Sequence, residues 1–89
     1  MKIQWNVSAS GKGIWANIPL PNNQYAMLSV YRCVVTQKYV QMVWIEGDRE
    51  KNYSKSEHEC CISAMVESEA AATELVDEQQ STSAVWQEV

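Results

Sequence analysis

The sequence predicts an α+β fold: an antiparallel sheet of four strands, or five if the C-terminus adds one, formed by two hairpins with one long C-terminal helix across a face. Three observations carry this. Apolar and polar residues alternate on both sides of a Gly11-Lys12-Gly13 turn, and two apolar runs rich in Tyr, Val and Met follow between residues 25 and 45. From Ser54 onward the chain has neither Gly nor Pro, and its apolar residues recur at helical intervals.

In chain order, Ile3, Trp5, Val7 and Ala9 alternate with Lys2, Gln4, Asn6 and Ser8, the pattern of a strand with one buried and one wet face. The glycine turn reverses the chain, and Ile14, Ala16 and Ile18 resume the alternation. Pro19-Leu20-Pro21-Asn22-Asn23 should end this hairpin, because proline lacks a ladder donor and the Asn pair favours turns.

Residues Tyr25 to Thr36 are apolar on both alternating sets, with Met27, Tyr31 and Cys33 against Leu28, Val30 and Val34, which predicts a strand covered on both sides. After Gln37-Lys38, the run from Tyr39 to Ile45 reads the same way, and Glu46-Gly47-Asp48 closes a second hairpin. Arg49 to Asn52 reads as a solvated loop.

The helix is expected over Ser54 to Gln80, opened by a capping box of Ser56 and Glu59. A helical wheel centred on Met65 places His58, Cys61, Ile62, Ala72 and Val76 within about 60° of it, with Leu75 slightly further round. Ser68 and Glu69 fall on that same side, so the expected helix overhangs the sheet at its middle. Ser81-Thr82-Ser83 reads as a break, leaving a single domain over residues 1–80 and residues 81–89 as a tail or a short edge strand.

Composition supports a folded chain, since 46% of its 89 residues are hydrophobic and four are Trp. No continuous apolar run suggests a signal peptide or a membrane span, which makes a cytoplasmic protein the default expectation. Cysteine usage agrees. Three is an odd number, and Cys60 and Cys61 are chain neighbours whose helical side chains diverge by about 100°, so free thiols are expected.

Over the first quarter of the chain, the opening strand from Met1-Lys2-Ile3 and the stretch Gly13-Ile14-Trp15-Ala16-Asn17-Ile18-Pro19-Leu20 resemble the start of HicB-type antitoxins. After Pro21 this chain enters another strand, where that family has Gly, Thr and an acid-rich helix start. The resemblance therefore implies no residue role or activity here.

Charge is strongly segregated. Residues 1–44 carry Lys2, Lys12, Arg32 and Lys38 with no acid, whereas residues 45–89 carry three cations against eleven acids. From Ser56 to the C-terminus the chain holds Glu57, Glu59, Glu67, Glu69, Glu74, Asp77, Glu78 and Glu88 without a single Lys or Arg. Two readings follow. An acidic helix face made of Glu57, Glu59, Glu67, Glu69, Glu74, Asp77 and Glu78 can compete for Lys and Arg side chains that hold a phosphate backbone. The expected partner is then a basic protein surface, such as that of a nucleic-acid-handling enzyme, in the manner of phage or mobile-element inhibitors of restriction or CRISPR components. A domain kept soluble by its charged face is the plain alternative.

The second reading is a sheet platform for single-stranded nucleic acid made of Trp15, Tyr31, Arg32, Lys38, Tyr39 and Trp44, where bases stack on aromatics beside cations. The net charge of −4 opposes a polyanion. A homodimer is a further expectation, because strands apolar on both sides leave surface that one helix does not cover.

No catalytic constellation is expected. His58 lies one helical turn from Cys61, yet Cys61 falls on the apolar stripe and Glu57 and Glu59 disfavour its thiolate. His-x-Cys-Cys lacks a second ligand cluster for a metal, the three glycines all serve turns rather than a phosphate loop, and no cofactor is implied. His58 reads as a partly buried, hydrogen-bonded side chain at the helix start.

Overall fold

The computed structural model describes residues 3–47 and 52–88. The chain forms β1 (Asn6–Val7), β2 (Gly13–Leu20), a 3₁₀ turn (Pro21–Asn23), β3 (Gln24–Arg32), β4 (Tyr39–Ile45), β5 (Asn52–His58) and α1 (Cys61–Glu88). The five strands make one antiparallel sheet in sequence order, and α1 packs across one face of it against β3, β4 and β5. This is the expected α+β architecture.

Each hairpin follows from local chemistry. Gly11 adopts φ +72 in the first turn, where Gly11 N–H bonds the Ser8 carbonyl and Ser8 N–H bonds the Gly13 carbonyl, both at 2.9 Å. Pro19 does not end β2, because it pairs with Tyr25. The Gly13 carbonyl faces β1, so the odd-numbered residues of β2 turn their backbone groups that way, and beyond Trp15 no β1 residue pairs there. Proline thus sits on an edge where its missing proton breaks no ladder.

β3 stops at Arg32, short of the expected Thr36. Gln37 takes φ +61 and donates to the Cys33 carbonyl at 2.7 Å, while Cys33 N–H donates to the Lys38 carbonyl at 2.8 Å. Val34 and Val35 therefore project from the tip, each 86% exposed.

The fifth strand is not the C-terminal segment but Asn52–His58, the stretch expected to start the helix. Of the loop expected at Arg49 to Asn52, only Asn52 lies within the described residues, and it begins β5. Ser56 and Glu59 consequently form no capping box. Gln41 is the cause: it is fully buried on β4 opposite Ser56, and its amide group donates to Ser54 Oγ at 2.8 Å and Ser56 Oγ at 3.0 Å. An extended β5 places serines two apart on one face, within reach of one amide. A helix would turn them apart.

α1 runs through Ser81-Thr82-Ser83 to Glu88, about 42 Å at the helical rise, so neither the tail nor the edge strand expected at 81–89 forms. Its buried stripe is Ala64, Ser68, Ala71, Ala72, Leu75 and Val76. Met65 and Cys61 are half-buried, and Ile62, expected to be inside, is 73% exposed. The rotation follows from residue size, as small Ala and Ser side chains let the helix axis lie close to the sheet while Leu75 and Val76 fill its far end.

The core unites Ala16, Ile18 and Leu20 of β2, Ala26 and Leu28 of β3 and Val43 of β4 with Ala71, Ala72, Leu75 and Val76 of α1. Ile3, Trp5, Ile45 and Tyr53 close its margins. Each large member contributes roughly 1.5–3 kcal/mol by leaving water. Glu69 is held where an overhang was expected: Trp5 Nε1–H donates to its Oε2 at 3.0 Å.

Candidate functional site

Two surfaces result from this packing, and the first is the outer face of α1. With Ala64, Ser68, Ala71 and Leu75 turned inward, Glu67, Glu74 and Glu78 fall in line at i, i+7 and i+11, with Asp77 beside them, all exposed. Val66, 62% exposed, lies towards Asp77 on this outer side, whereas Ile62, 73% exposed, lies on the other flank, about 140° round the helix from Glu67. The seven acids expected to act together are thus divided. Glu57 lies on β5, and Glu59 in the link to α1 pairs with Lys38 Nζ at 3.5 Å. Glu69 accepts from Trp5. Glu78 serves the fold in part: burial, then a hydrogen bond and the charge of Glu78, hold the Tyr53 hydroxyl above its usual range. Among the described residues no Lys or Arg pairs with Glu67, Glu74 or Asp77.

The second surface is the face of the sheet away from α1. Strand alternation and register place three cross-strand rows there. Trp15, Ser29, Met42 and Lys55 form one; Gly13, Tyr31, Val40 and Glu57 the next; and Asn17, Met27, Trp44 and Asn52 a third. Trp15 and Tyr31 are each 38% exposed, and Met27, Met42 and Trp44 are half-buried. This is the surface expected to be covered on both sides; α1 covers only one. Of the six residues considered for a nucleic-acid platform, Trp15, Tyr31 and Trp44 share it. Arg32 and Tyr39 pair with each other and have the opposite alternation, towards α1, while Lys38 is bound to Glu59. Arg32 lines a concavity of about 400 Å³ at the hairpin tips with Lys12, Val34 and Gln37.

Between the faces runs a polar chain that residue spacing did not reveal. From Gln41 it passes through Ser56 Oγ to His58 Nε2 at 2.8 Å, and from His58 Nδ1 to Ser63 Oγ at 2.9 Å. Ser56 already accepts from Gln41, so its own proton goes to Nε2 in the tautomer in which the imidazole donates from Nδ1 to Ser63. The chain locks β5 to the first turn of α1. Its one sequence signal is Gln41, a long amide amid an apolar run.

His58 thus ends at serine hydroxyls on both nitrogens, and it sits on β5 rather than on the helix. All three cysteines are free thiols. Cys33, in the β3–β4 turn, has its thiolate favoured by the amide and hydroxyl of Thr36 and the amide of Val35, which hold its pKa below the usual range. Among the described residues, no group of three or more His, Cys, Asp or Glu is placed to hold a metal ion, and no helix is long and apolar enough to cross a membrane. No family model, curated protein or solved structure matches the chain.

Proposed function

We propose that this protein is a non-enzymatic binding protein whose helix α1 occupies a basic surface of a nucleic-acid-handling protein, as an inhibitor of the restriction or CRISPR kind would. The observation that carries this reading is the outer face of α1, where Glu67, Glu74 and Asp77 are exposed and matched by no cation among the described residues. Glu74 and Asp77 lie one turn apart, about 5–6 Å between Cβ atoms, close to the separation of successive phosphates along a strand. Glu67, two turns earlier, extends the line by about 10 Å. Exposed Val66, next to Glu67 in the chain, adds apolar contact beside the charges, which a merely solubilising face does not need.

Glu69 and Glu78 are engaged by Trp5 and Tyr53, so the binding set narrows to Glu67, Glu74 and Asp77. The test uses Glu67→Gln, Glu74→Gln and Asp77→Gln together. A partner captured by the native chain and released by raised salt should be lost by the triple variant, and its nucleic-acid binding should return. Glu57→Gln, on the opposite side of the sheet, should leave capture unchanged. Retention of the partner by the triple variant would refute the reading.

A further inference from the structure

We propose that the open sheet face is the interface of a two-fold homodimer in which two copies stack face to face as a β-sandwich. The inference is independent of the acidic helix, which lies on the other side of the sheet. Its basis is that two of these rows are complementary to each other, Val40 alone of their eight residues being buried. In an isologous pair whose two-fold axis lies in the interface, across the strands and between the first two rows, the row Trp15, Ser29, Met42, Lys55 stacks on Gly13, Tyr31, Val40, Glu57 of the second copy.

Every pairing between those two rows matches. Trp15 faces Gly13 and Ser29 faces Tyr31, so each large ring meets a position without bulk, while Met42 meets Val40 and Lys55 meets Glu57. Alternation of large and small side chains is what lets two facing sheets interdigitate at about 10 Å. The charges complete it. Lys55 and Glu57 are both exposed on the outermost strand two residues apart on one face, so the two-fold operation makes two opposite-charge contacts from a single pair of residues.

The same charges argue against nucleic acid as the occupant. The face carries one Lys and one Glu in its three rows, which gives a phosphate chain no net attraction. Four strands about 4.8 Å apart and about five residues deep offer a face of roughly 20 by 17 Å. Two such faces bury roughly 700 Å² in all, below the standard size of specific interfaces, so a weak, readily reversible dimer is expected.

Sedimentation equilibrium of the full chain over a dilution series tests this. The native chain should pass reversibly from monomer to dimer. Met42→Asp, which buries a charge at the centre of the contact, should hold it monomeric with its far-ultraviolet circular dichroism unchanged. Lys55→Glu or Glu57→Lys alone should weaken the dimer about tenfold by turning both ion pairs into like-charge contacts, and the double exchange should restore it. Both positions are exposed on an edge strand, so these variants fold whether or not Met42→Asp does. A chain monomeric throughout the series, or a dimer indifferent to the Lys55 and Glu57 exchange, would overturn the proposal. So would saturable binding of a single-stranded oligonucleotide by a monomer, lost on Trp15→Ala.

Discussion

The two faces of the sheet are built from the same strands and have different fates. Towards α1, Ala16, Leu28 and Val43 are fully buried; on the other side, Trp15 and Tyr31 stay 38% exposed although their side chains are larger. The covered face is lined with small and branched residues against an Ala-rich helix, whereas the aromatic and Met bulk lies on the face away from α1. Hydrophobicity alone therefore does not identify the core. Shape does, because a helix can approach a sheet closely only where side chains are small. The uncovered bulk is better suited to interdigitation with another sheet.

The strongest way to break this comparison is a matched pair of truncations. Leu28→Ala on the covered face should cost about 3 kcal/mol, through lost burial and a cavity that the helix cannot collapse to fill. Met42→Ala, measured by denaturant unfolding at a dilution where the chain is monomeric, should cost less than about 1 kcal/mol, since Met42 is only half-buried. Equal losses would mean that both faces are core.

A smaller effect probes the polar part of the covered face. Gln41 donates to Ser54 and Ser56, whereas its Oε1 and the buried Ser68 Oγ have no hydrogen-bond partner among the described residues. Gln41→Ala should cost about 2 kcal/mol, as it removes both bonds and leaves a void next to two serines. Ser68→Ala should be neutral or stabilise by about 0.5 kcal/mol, because it removes an unpaired hydroxyl at almost no change in volume. Urea unfolding of both variants, compared at equal chain concentration, measures the difference.

The smallest effect is at the turn beyond the sheet. Since donors from Thr36 and Val35 hold the Cys33 pKa low, alkylation of Cys33 should have its pH midpoint below that of an ordinary thiol. Thr36→Val removes the hydroxyl donor and keeps the amide, and should move the midpoint part of the way up. The sign extends to stability: a thiol depressed in the folded chain favours folding above its unfolded pKa, and that preference fades as pH falls through the folded one. Rates of iodoacetamide labelling, read by mass spectrometry of the Cys33 peptide, report the midpoint.

Much of the sheet is legible in the sequence because strand alternation and turn chemistry are local. Gly11, the Asn pair before Gln24 and the apolar runs place β2, β3 and β4 with small errors at their ends. β5 is not legible, because its inward residues are Ser54, Ser56 and His58, so the period of two is present but carries no hydrophobic contrast. The acids were visible as a group, but their division was not. Glu69 and Glu78 look equivalent to Glu67 and Glu74 until Trp5 and Tyr53, distant in the chain, are brought against them.

What the sequence by itself determined is therefore the antiparallel sheet, the presence of one long helix after it and the separation of positive from negative charge along the chain. Each depends on residues near one another. Tertiary structure decided that Asn52–His58 is a strand, which way α1 rotates and which face stays open. Those choices depend on a buried Gln41 seeking acceptors and on the close fit of Ala64, Ser68 and Ala71 against β3, β4 and β5. Neither exists until the sheet has formed.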